Sequence, residues 1–216
     1  MKPVHPTKCL PPAPQTLLLR LKTETRPHHE RAERTVRLLE PGLTPEGYRR
    51  HLEALYGLFA PLEEALADCL SGRVPELRAT ERWKLPLLEE DLAALGHDAA
   101  SLARLPRAST LPALTGLPEA LGCFYVLEGS TLGGQLILRH LQKHFAGAPV
   151  GAFAFFRAYG EEVGPMWKAF GEAVTRVSAA EASESFDARV VRGAQDTFDA
   201  FEAWLGREVT DVVADA

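Results

Sequence analysis

The sequence is poor in the residues that build disulfide frameworks and membrane spans. It has only three cysteines in 216 residues, Cys9, Cys69 and Cys123, and none of them belongs to a CxxC pair. An odd number of cysteines without that spacing indicates reduced thiols, which are typical of cytoplasmic proteins. We see no apolar run long enough for a transmembrane helix, and the proline-rich N-terminus lacks the apolar core of a signal peptide. The sequence therefore predicts a cytoplasmic protein with no membrane partner.

Several motifs of common enzyme classes are also missing. The chain has no HExxH zinc motif, no Walker phosphate-binding loop and no GxSxG nucleophile motif. It also lacks the paired Glu-x-x-His motifs of di-iron bundles. A net charge of −5 provides no general attraction for nucleic acid or for an anionic membrane surface. We therefore expect no nucleic-acid partner.

The sequence contains almost no strand signals, whereas helical periodicity recurs along the whole chain. The pattern predicts an all-α single domain over residues 15–206, preceded by a flexible proline-rich arm over 1–14 and followed by a short tail over 207–216. The helices are expected at 15–39, with a break near Thr25–Pro27, and at 45–70, 84–95, 118–142, 160–179 and 183–205. Thr44 followed by Pro45 predicts a capped start for the second of them.

One predicted helix contains three glycines, Gly129, Gly133 and Gly134, within the sequence EGSTLGGQ. A glycine inside a helix costs about 1 kcal/mol relative to alanine, so these positions need a compensating role. Gly129 and Gly133 lie one turn apart on the same face, where the missing side chains expose the backbone. That face suits either close packing of a second helix or contact with a large flat ligand, and the stretch alone does not decide between them.

His29 is the histidine most suited to hold a ligand. It lies on the inward stripe of the first helix, while His28 points about 100° away. Glu33 follows one turn later and can accept a hydrogen bond from the ring, as the outer partners of metal-bound histidines do. A lone inward histidine is more often a hydrogen-bonded core residue than a ligand.

Two segments resemble the motifs of haem oxygenases. Residues 25–33 read TRPHHERAE and resemble the family's proximal helix, while residues 129–135 read GSTLGGQ and resemble its distal helix. Residues 51–64 and 88–92 resemble the family in the same order, so the resemblance covers about residues 17–205. It implies a multi-helical bundle that holds haem between a proximal helix and a kinked distal helix.

The resemblance assigns roles to particular residues. It makes His29 the axial iron ligand, supported by Glu33. It places haem against a distal backbone face formed by Gly129, Gly133 and Gly134. It gives the haem propionates three basic partners, Lys22, Arg26 and Lys168.

The sequence departs from the family pattern at two positions. Glu172 stands where the family has an arginine that helps to hold a propionate. Ser130 stands where mammalian-type members have an aspartate that orders water near the distal face. A serine hydroxyl can hold a water molecule but brings no charge, so Ser130 is the candidate for proton supply, acting beside Gly129 and Gly133.

The resemblance implies oxidative cleavage of haem to biliverdin with release of iron and carbon monoxide. Haem is then both cofactor and substrate, and the reaction needs dioxygen and an external electron donor, either a reductant protein or a small reductant. The YVLEGSTLGG stretch is most similar to bacterial enzymes that supply a bilin to a bacteriophytochrome. Two alternatives remain open at this stage: a haem-transfer protein on the same scaffold, and an unrelated helical hydrolase with a cysteine nucleophile.

Overall fold

The computed structural model describes residues 16–151 and 153–214, with side chains to Arg207. All longer regular elements in this part of the chain are α-helices, which confirms the all-α prediction. They are α1 (Leu17–Glu24), α2 (Arg26–Glu33), α3 (Pro45–Leu70), α4 (Leu85–Ala94), α5 (Ala99–Arg104), α6 (Leu117–His144), α7 (Ala154–Arg157), α8 (Val163–Glu181) and α9 (Glu184–Ala214). Short 3₁₀ turns occupy Pro75–Leu77, Ala79–Glu81 and Gly160–Glu162. The predicted arm over residues 1–14 lies outside the described residues.

The break predicted near Thr25–Pro27 is confirmed, because α1 ends at Glu24 and α2 begins at Arg26. Thr25 lies at the junction, where its hydroxyl donates to Leu21 O at 2.6 Å. The prediction that this helical region continues to residue 39 was wrong, since α2 ends at Glu33. Successive turns follow and carry Leu38 into the core, where it is buried. Tertiary burial thus overrides the helical propensity of residues 34–39.

Local capping signals elsewhere act as predicted. The Thr44 side chain accepts a hydrogen bond from Gly47 N at 3.0 Å, and α3 begins at Pro45. Gly96 follows α4 with a positive φ of 95°, the conformation that commonly ends helices at glycine. The tail expected after residue 206 is part of α9, which continues to Ala214.

The centre of the fold is the close packing of α6 against α9 at two glycines that the sequence analysis did not single out. A Cβ atom at Gly122 would lie 2.0 Å from Val190 O and 2.6 Å from Ala194 N. A Cβ atom at Gly193 would lie 2.5 Å from Glu119 O. Both distances are impossible for real side chains, so the two helix backbones touch only because both residues are glycine.

We expect Gly122→Ala to destabilise the fold by about 3 kcal/mol or more, because the added methyl group collides with the α9 backbone. Gly133→Ala on the same helix is the matched control, since a Cβ atom there meets no atom within 4 Å. The control is expected to be neutral or to gain up to about 1 kcal/mol of helix propensity. Urea unfolding of both variants measures the difference, and equal stabilities would contradict this account of the crossing.

Among the residues that the structure describes, one helix, α6, is long and apolar enough to cross a membrane. Half of its most apolar 18-residue window is buried inside the fold. This burial is characteristic of a core helix, and α6 packs against α3, α7, α8 and α9. The apolar character of α6 is therefore explained by its packing.

Candidate functional site

The prediction that His29 lies on an inward stripe was wrong, because its ring on α2 is open to solvent and His28 is the more buried of the two. The His29 side chain is 52% exposed, and its Nδ1 atom lies 3.4 Å from Glu33 Oε2. One edge of the ring packs against Phe198 of α9, with ring centroids 5.3 Å apart. Because Nδ1 faces a carboxylate, an Nδ1–H tautomer is favoured, and that tautomer leaves the Nε2 lone pair for a ligand.

His28 has a different environment from its neighbour. Its Nδ1 atom lies 2.7 Å from Asp199 Oδ1, and Arg31 donates to the same carboxylate oxygen at 2.6 Å. These contacts attach α2 to the surface of α9. His28 is therefore engaged in a structural ion-pair network, whereas His29 presents a ring with an accessible edge.

A contact between Thr25 and Tyr125 joins the two motif-bearing regions. The Thr25 side chain lowers the pKa of Tyr125, and this opposes the larger effect of burial, which raises it. Thr25 precedes His29 by four residues, and Tyr125 precedes Gly129 by four residues. Each functional candidate therefore lies about one helical turn, roughly 6 Å of helix rise, from one of these two residues.

The three glycines of the distal motif have different surroundings. A Cβ atom at Gly129 would lie 3.6 Å from the Trp167 ring of α8, which is ordinary van der Waals contact. A Cβ atom at Gly134 would lie 3.3 Å from Phe156 O of α7, so this glycine permits close packing. A Cβ atom at Gly133 would meet no atom within 4 Å. Of the three, Gly133 is the one whose bare backbone faces open space.

Apolar side chains continue the open face around Gly133. Leu132 is 43% exposed and Leu136 is 56% exposed, although both are large hydrophobic residues. Exposed leucines beside a bare stretch of backbone form a surface suited to a flat apolar ligand.

The three predicted propionate partners are all exposed basic residues. Lys22 lies in the last turn of α1 and Arg26 begins α2. Arg26 donates to Glu30 at 2.8 Å, and Lys168 on α8 lies 3.9 Å from Glu172. Because such exposed pairs are weak, they leave these cations able to exchange a carboxylate partner for an anionic ligand group.

Ser130 lies on the exposed side of α6, directly after Gly129. Its hydroxyl donates to Leu127 O at 2.7 Å, which fixes the side chain along the helix. The oxygen keeps its lone pairs, so it can accept a hydrogen bond from a water molecule. Ser130 can thus hold a water molecule on this face, but its hydroxyl is neutral and lacks the negative charge of a carboxylate.

A buried charge cluster that no sequence pattern indicated lies behind the glycine motif. It is composed of Arg82, Lys84, Glu128 and Tyr159. Glu128 accepts hydrogen bonds from Arg82 Nη1, from Lys84 Nζ at 2.8 Å and from Tyr159 OH at 2.7 Å. The charged side chains of Arg82, Lys84 and Glu128 are almost wholly buried. We call this group the Glu128 cluster. Charged residues in sequence normally indicate a solvated surface, so only the tertiary structure identifies it.

A second buried carboxylate, Glu63, lies beside this cluster. It accepts from Lys84 N at 2.6 Å and from Leu85 N at 3.1 Å, and so caps the start of α4. Burial raises the pKa of Glu63 from 4.5 to about 7, and the two N–H donors and the Lys84 cation oppose that effect.

This pKa shift predicts a pH dependence of stability. The folded protein holds the Glu63 proton more tightly than the unfolded chain, so the associated stability is complete below pH 4.5 and is lost as pH rises through about 7. The wild type should lose about 3 kcal/mol between pH 4 and pH 8 relative to Glu63→Gln, which does not titrate. Urea unfolding of both proteins across this range measures the difference. A constant difference would contradict the shift.

The environments of the described cysteines do not support a cysteine nucleophile. Cys123 is fully buried, and burial raises the pKa of its thiol to about 12. Cys69 donates from Sγ to Leu114 O at 3.4 Å. A nucleophilic cysteine needs an accessible thiolate, so the helical hydrolase considered from sequence is disfavoured.

Comparison with known proteins shows matches over most of the chain. The family model described as Heme oxygenase matches residues 15–207. Heme oxygenase PigA of Pseudomonas aeruginosa is 29% identical over 198 residues, which cover 87% of this chain and 90% of that protein. A heme oxygenase of Xanthomonas campestris pv. campestris is 34% identical over 161 residues, which cover 74% of this chain and 90% of that protein.

Solved structures show the same helical fold. The heme oxygenase of Neisseria meningitidis aligns with a TM-score of 0.70 at 20% identity, over 90% of this chain and 92% of that one. The heme oxygenase-1 of the cyanobacterium Synechocystis, solved in complex with heme, aligns with a TM-score of 0.72 at 16% identity, over 93% and 96% of the two chains. The family match over nearly the whole chain, together with these relatives, shows that the chain belongs to the haem oxygenase family and is an enzyme of that family.

Proposed function

We propose that this protein cleaves haem oxidatively to biliverdin, releasing iron and carbon monoxide, with dioxygen and an external electron donor. Haem is the substrate, and its iron supplies the site at which dioxygen is activated. The protein's own residues bind and orient the ring, exclude water from part of it and supply protons. The observation that carries this proposal is the exposed His29 imidazole, with Nδ1 beside Glu33, in a chain whose residues 15–207 match the family model.

The described residues fit a haem in their chemistry. His29 offers an accessible imidazole whose other nitrogen faces Glu33. Gly133 offers bare backbone beside exposed apolar side chains. A porphyrin ring needs one axial ligand and an apolar face. We therefore assign His29 as the iron ligand, Glu33 as its positioning partner, and the Gly129–Gly133 stretch, with Gly134 behind it, as the distal face.

Exposed cations suit the two propionate groups of haem. Lys22, Arg26 and Lys168 are the residues that we assign to them, and all three lie on α1, α2 or α8. Glu172, at the position of a family arginine, repels a propionate and can hold Lys168 instead. We infer that the propionate anchoring of this enzyme relies on one fewer cation on α8 than the family pattern has.

We assign proton supply on the distal face to water held by Ser130. Its hydroxyl is fixed by Leu127 O and can accept from a water molecule. A neutral serine orders that water less strongly than a carboxylate does, because a charge-assisted hydrogen bond is roughly twice as strong.

We further propose that the enzyme acts in the cytoplasm, that a reductant protein or small reductant supplies its electrons, and that its bilin product serves a bacteriophytochrome. The YVLEGSTLGG form of the distal motif supports the last of these. The haem-transfer alternative predicts binding of the same ligand without ring opening.

One experiment tests the proposed reaction. Haemin is added to the purified protein, a reductant system is supplied under air, and the Soret band and the biliverdin absorbance are followed together. Loss of the Soret band with growth of biliverdin supports cleavage. A stable Soret band indicates a haem-transfer protein, and the absence of any Soret band would overturn both assignments.

A further inference from the structure

The Glu128 cluster is positioned directly behind the distal motif. Glu128 is the residue immediately before Gly129, and its carboxylate accepts three hydrogen bonds from partners outside α6. Lys84 adds a contact to the face of the Tyr159 ring, with Nζ 4.4 Å from the centroid. The rotation of α6 at Gly129 is therefore fixed by groups from the segment before α4 and from the α7–α8 connection.

Arg82 connects this part of α6 to α8. The same Nη1 atom that donates to Glu128 also donates to Met166 O at 3.1 Å. Met166 immediately precedes Trp167, whose ring would be in van der Waals contact, at 3.6 Å, with a Cβ atom at Gly129. The Arg82 guanidinium thus binds both Glu128 and Met166. It thereby sets the spacing between Gly129 on α6 and Trp167 on α8.

A contribution to the free energy of unfolding does not explain why these charges are buried together. A buried ion pair is on balance often no more stabilising than apolar residues of the same volume, because both charges lose their hydration. The cluster places two cations against one carboxylate, so the desolvation cost is high. Burial accordingly lowers the pKa of Lys84, against the opposing attraction of Glu128. Such clusters hold elements in one defined geometry, which is a property that a substrate-binding wall needs.

We propose that the Glu128 cluster is a positioning device for haem cleavage, which fixes the spacing between Gly129 and Trp167 and thereby seats the ring in a single orientation. Glu128 is its central positioning residue and acts through the backbone of the distal motif. This inference rests on the proposed function. It assigns to Arg82, Lys84 and Tyr159 a role in selecting which carbon of the ring is attacked.

Loosening the cluster should change product selectivity more than binding. Glu128→Gln keeps the size of the side chain but removes the charge that neutralises Arg82 and Lys84. With the spacing between α6 and α8 relaxed, haem can bind in more than one in-plane orientation. Because cleavage follows the orientation, the product becomes a mixture of biliverdin isomers.

The test uses three variants of the full chain. Glu128→Gln removes the central charge, and Tyr159→Phe removes one hydrogen bond to it. Glu119→Gln is the matched control, because Glu119 is also a buried carboxylate of α6 and is held by Arg189 in a bidentate pair at 2.6 and 2.8 Å. The biliverdin isomers are separated chromatographically. The pH-dependent spectral change of each ferric haem complex, its acid–alkaline transition, is titrated optically.

We expect Glu128→Gln to lower the ratio of major to minor isomer by roughly tenfold or more. A change of this size corresponds to the loss of one charge-assisted hydrogen bond that favours a single orientation of the ring. Its acid–alkaline transition should move to lower pH by about half a unit, since the remaining cations favour the deprotonated form. Tyr159→Phe should shift the isomer ratio in the same direction by a smaller factor. Glu119→Gln should retain the native ratio and transition even if it unfolds more easily.

The outcomes separate this inference from the proposed function. If the wild type fails to cleave haem, the proposed function is wrong and the inference fails with it. If the wild type cleaves haem but both cluster variants keep the native isomer ratio and transition, the inference alone is overturned and the cluster is structural. Should Glu128→Gln fail to fold, Tyr159→Phe decides between these outcomes by the same two measurements.

Discussion

His29→Ala is expected to abolish the histidine-ligated Soret spectrum of the ferric haem complex. The substitution also lowers turnover by more than the roughly 10- to 100-fold that follows loss of an outer partner of a metal ligand. The physical reason is that this substitution removes the imidazole that we assign to the iron, while the apolar contacts that we assign to α6 would remain. Optical titration with haemin and the initial rate of biliverdin formation measure the two effects.

Two controls make this prediction specific. His28→Ala removes the neighbouring ring, which is bound to Asp199, and should leave the haem spectrum unchanged. Added imidazole should restore much of the spectrum of His29→Ala, because the ring that it replaces is half-exposed. If His28→Ala alters the spectrum and His29→Ala does not, the axial ligand is His28 and the assignment of α2 must be changed.

Gly133→Leu is expected to block haem binding without unfolding the protein. The new side chain extends into open space, so it meets no atom of the folded chain at its Cβ position. That same space is where the proposed haem face lies, so the leucine displaces the ring from the backbone. Haem affinity should fall by at least about tenfold, equivalent to roughly 1.4 kcal/mol, while unfolding in urea remains native-like.

A leucine at another exposed position of α6 separates a block of the proposed haem face from the general effect of adding an apolar side chain. Gln142→Leu adds the same apolar side chain at an exposed position nine residues further along α6, and it should bind haem normally. Gly129→Leu is a less clean variant, because the Trp167 ring already occupies the neighbouring space. Native haem affinity and native biliverdin yield in Gly133→Leu would exclude the distal face proposed for this glycine.

Local chemistry made much of the fold predictable. Short-range contacts determine the start of α3 at Thr44 and Pro45 and the break between α1 and α2 at Thr25. Each depends on residues within one or two turns of one another. The glycine at position 96 ends α4 for the same local reason. The end of α2 was missed because the burial of Leu38 depends on distant packing that no local pattern contains.

The sequence likewise predicts only part of the candidate site. His29, Gly129 and Gly133 stand in motifs whose order and spacing can be recognised along the chain. The difference between Gly133, which faces open space, and Gly134, which packs on Phe156, depends on where α7 lies. No spacing along the sequence contains that information.

The sequence by itself determined that the chain is helical, where most helices begin, and which histidine and which glycines belong to the two motifs. Only the tertiary structure decided that Gly122, and not the distal glycines, carries the closest backbone contact with α9. It alone brought Arg82 and Glu128 together. The physical reason is that caps and helical faces depend on neighbours in sequence, whereas backbone contact and buried charge pairing depend on residues far apart along the chain.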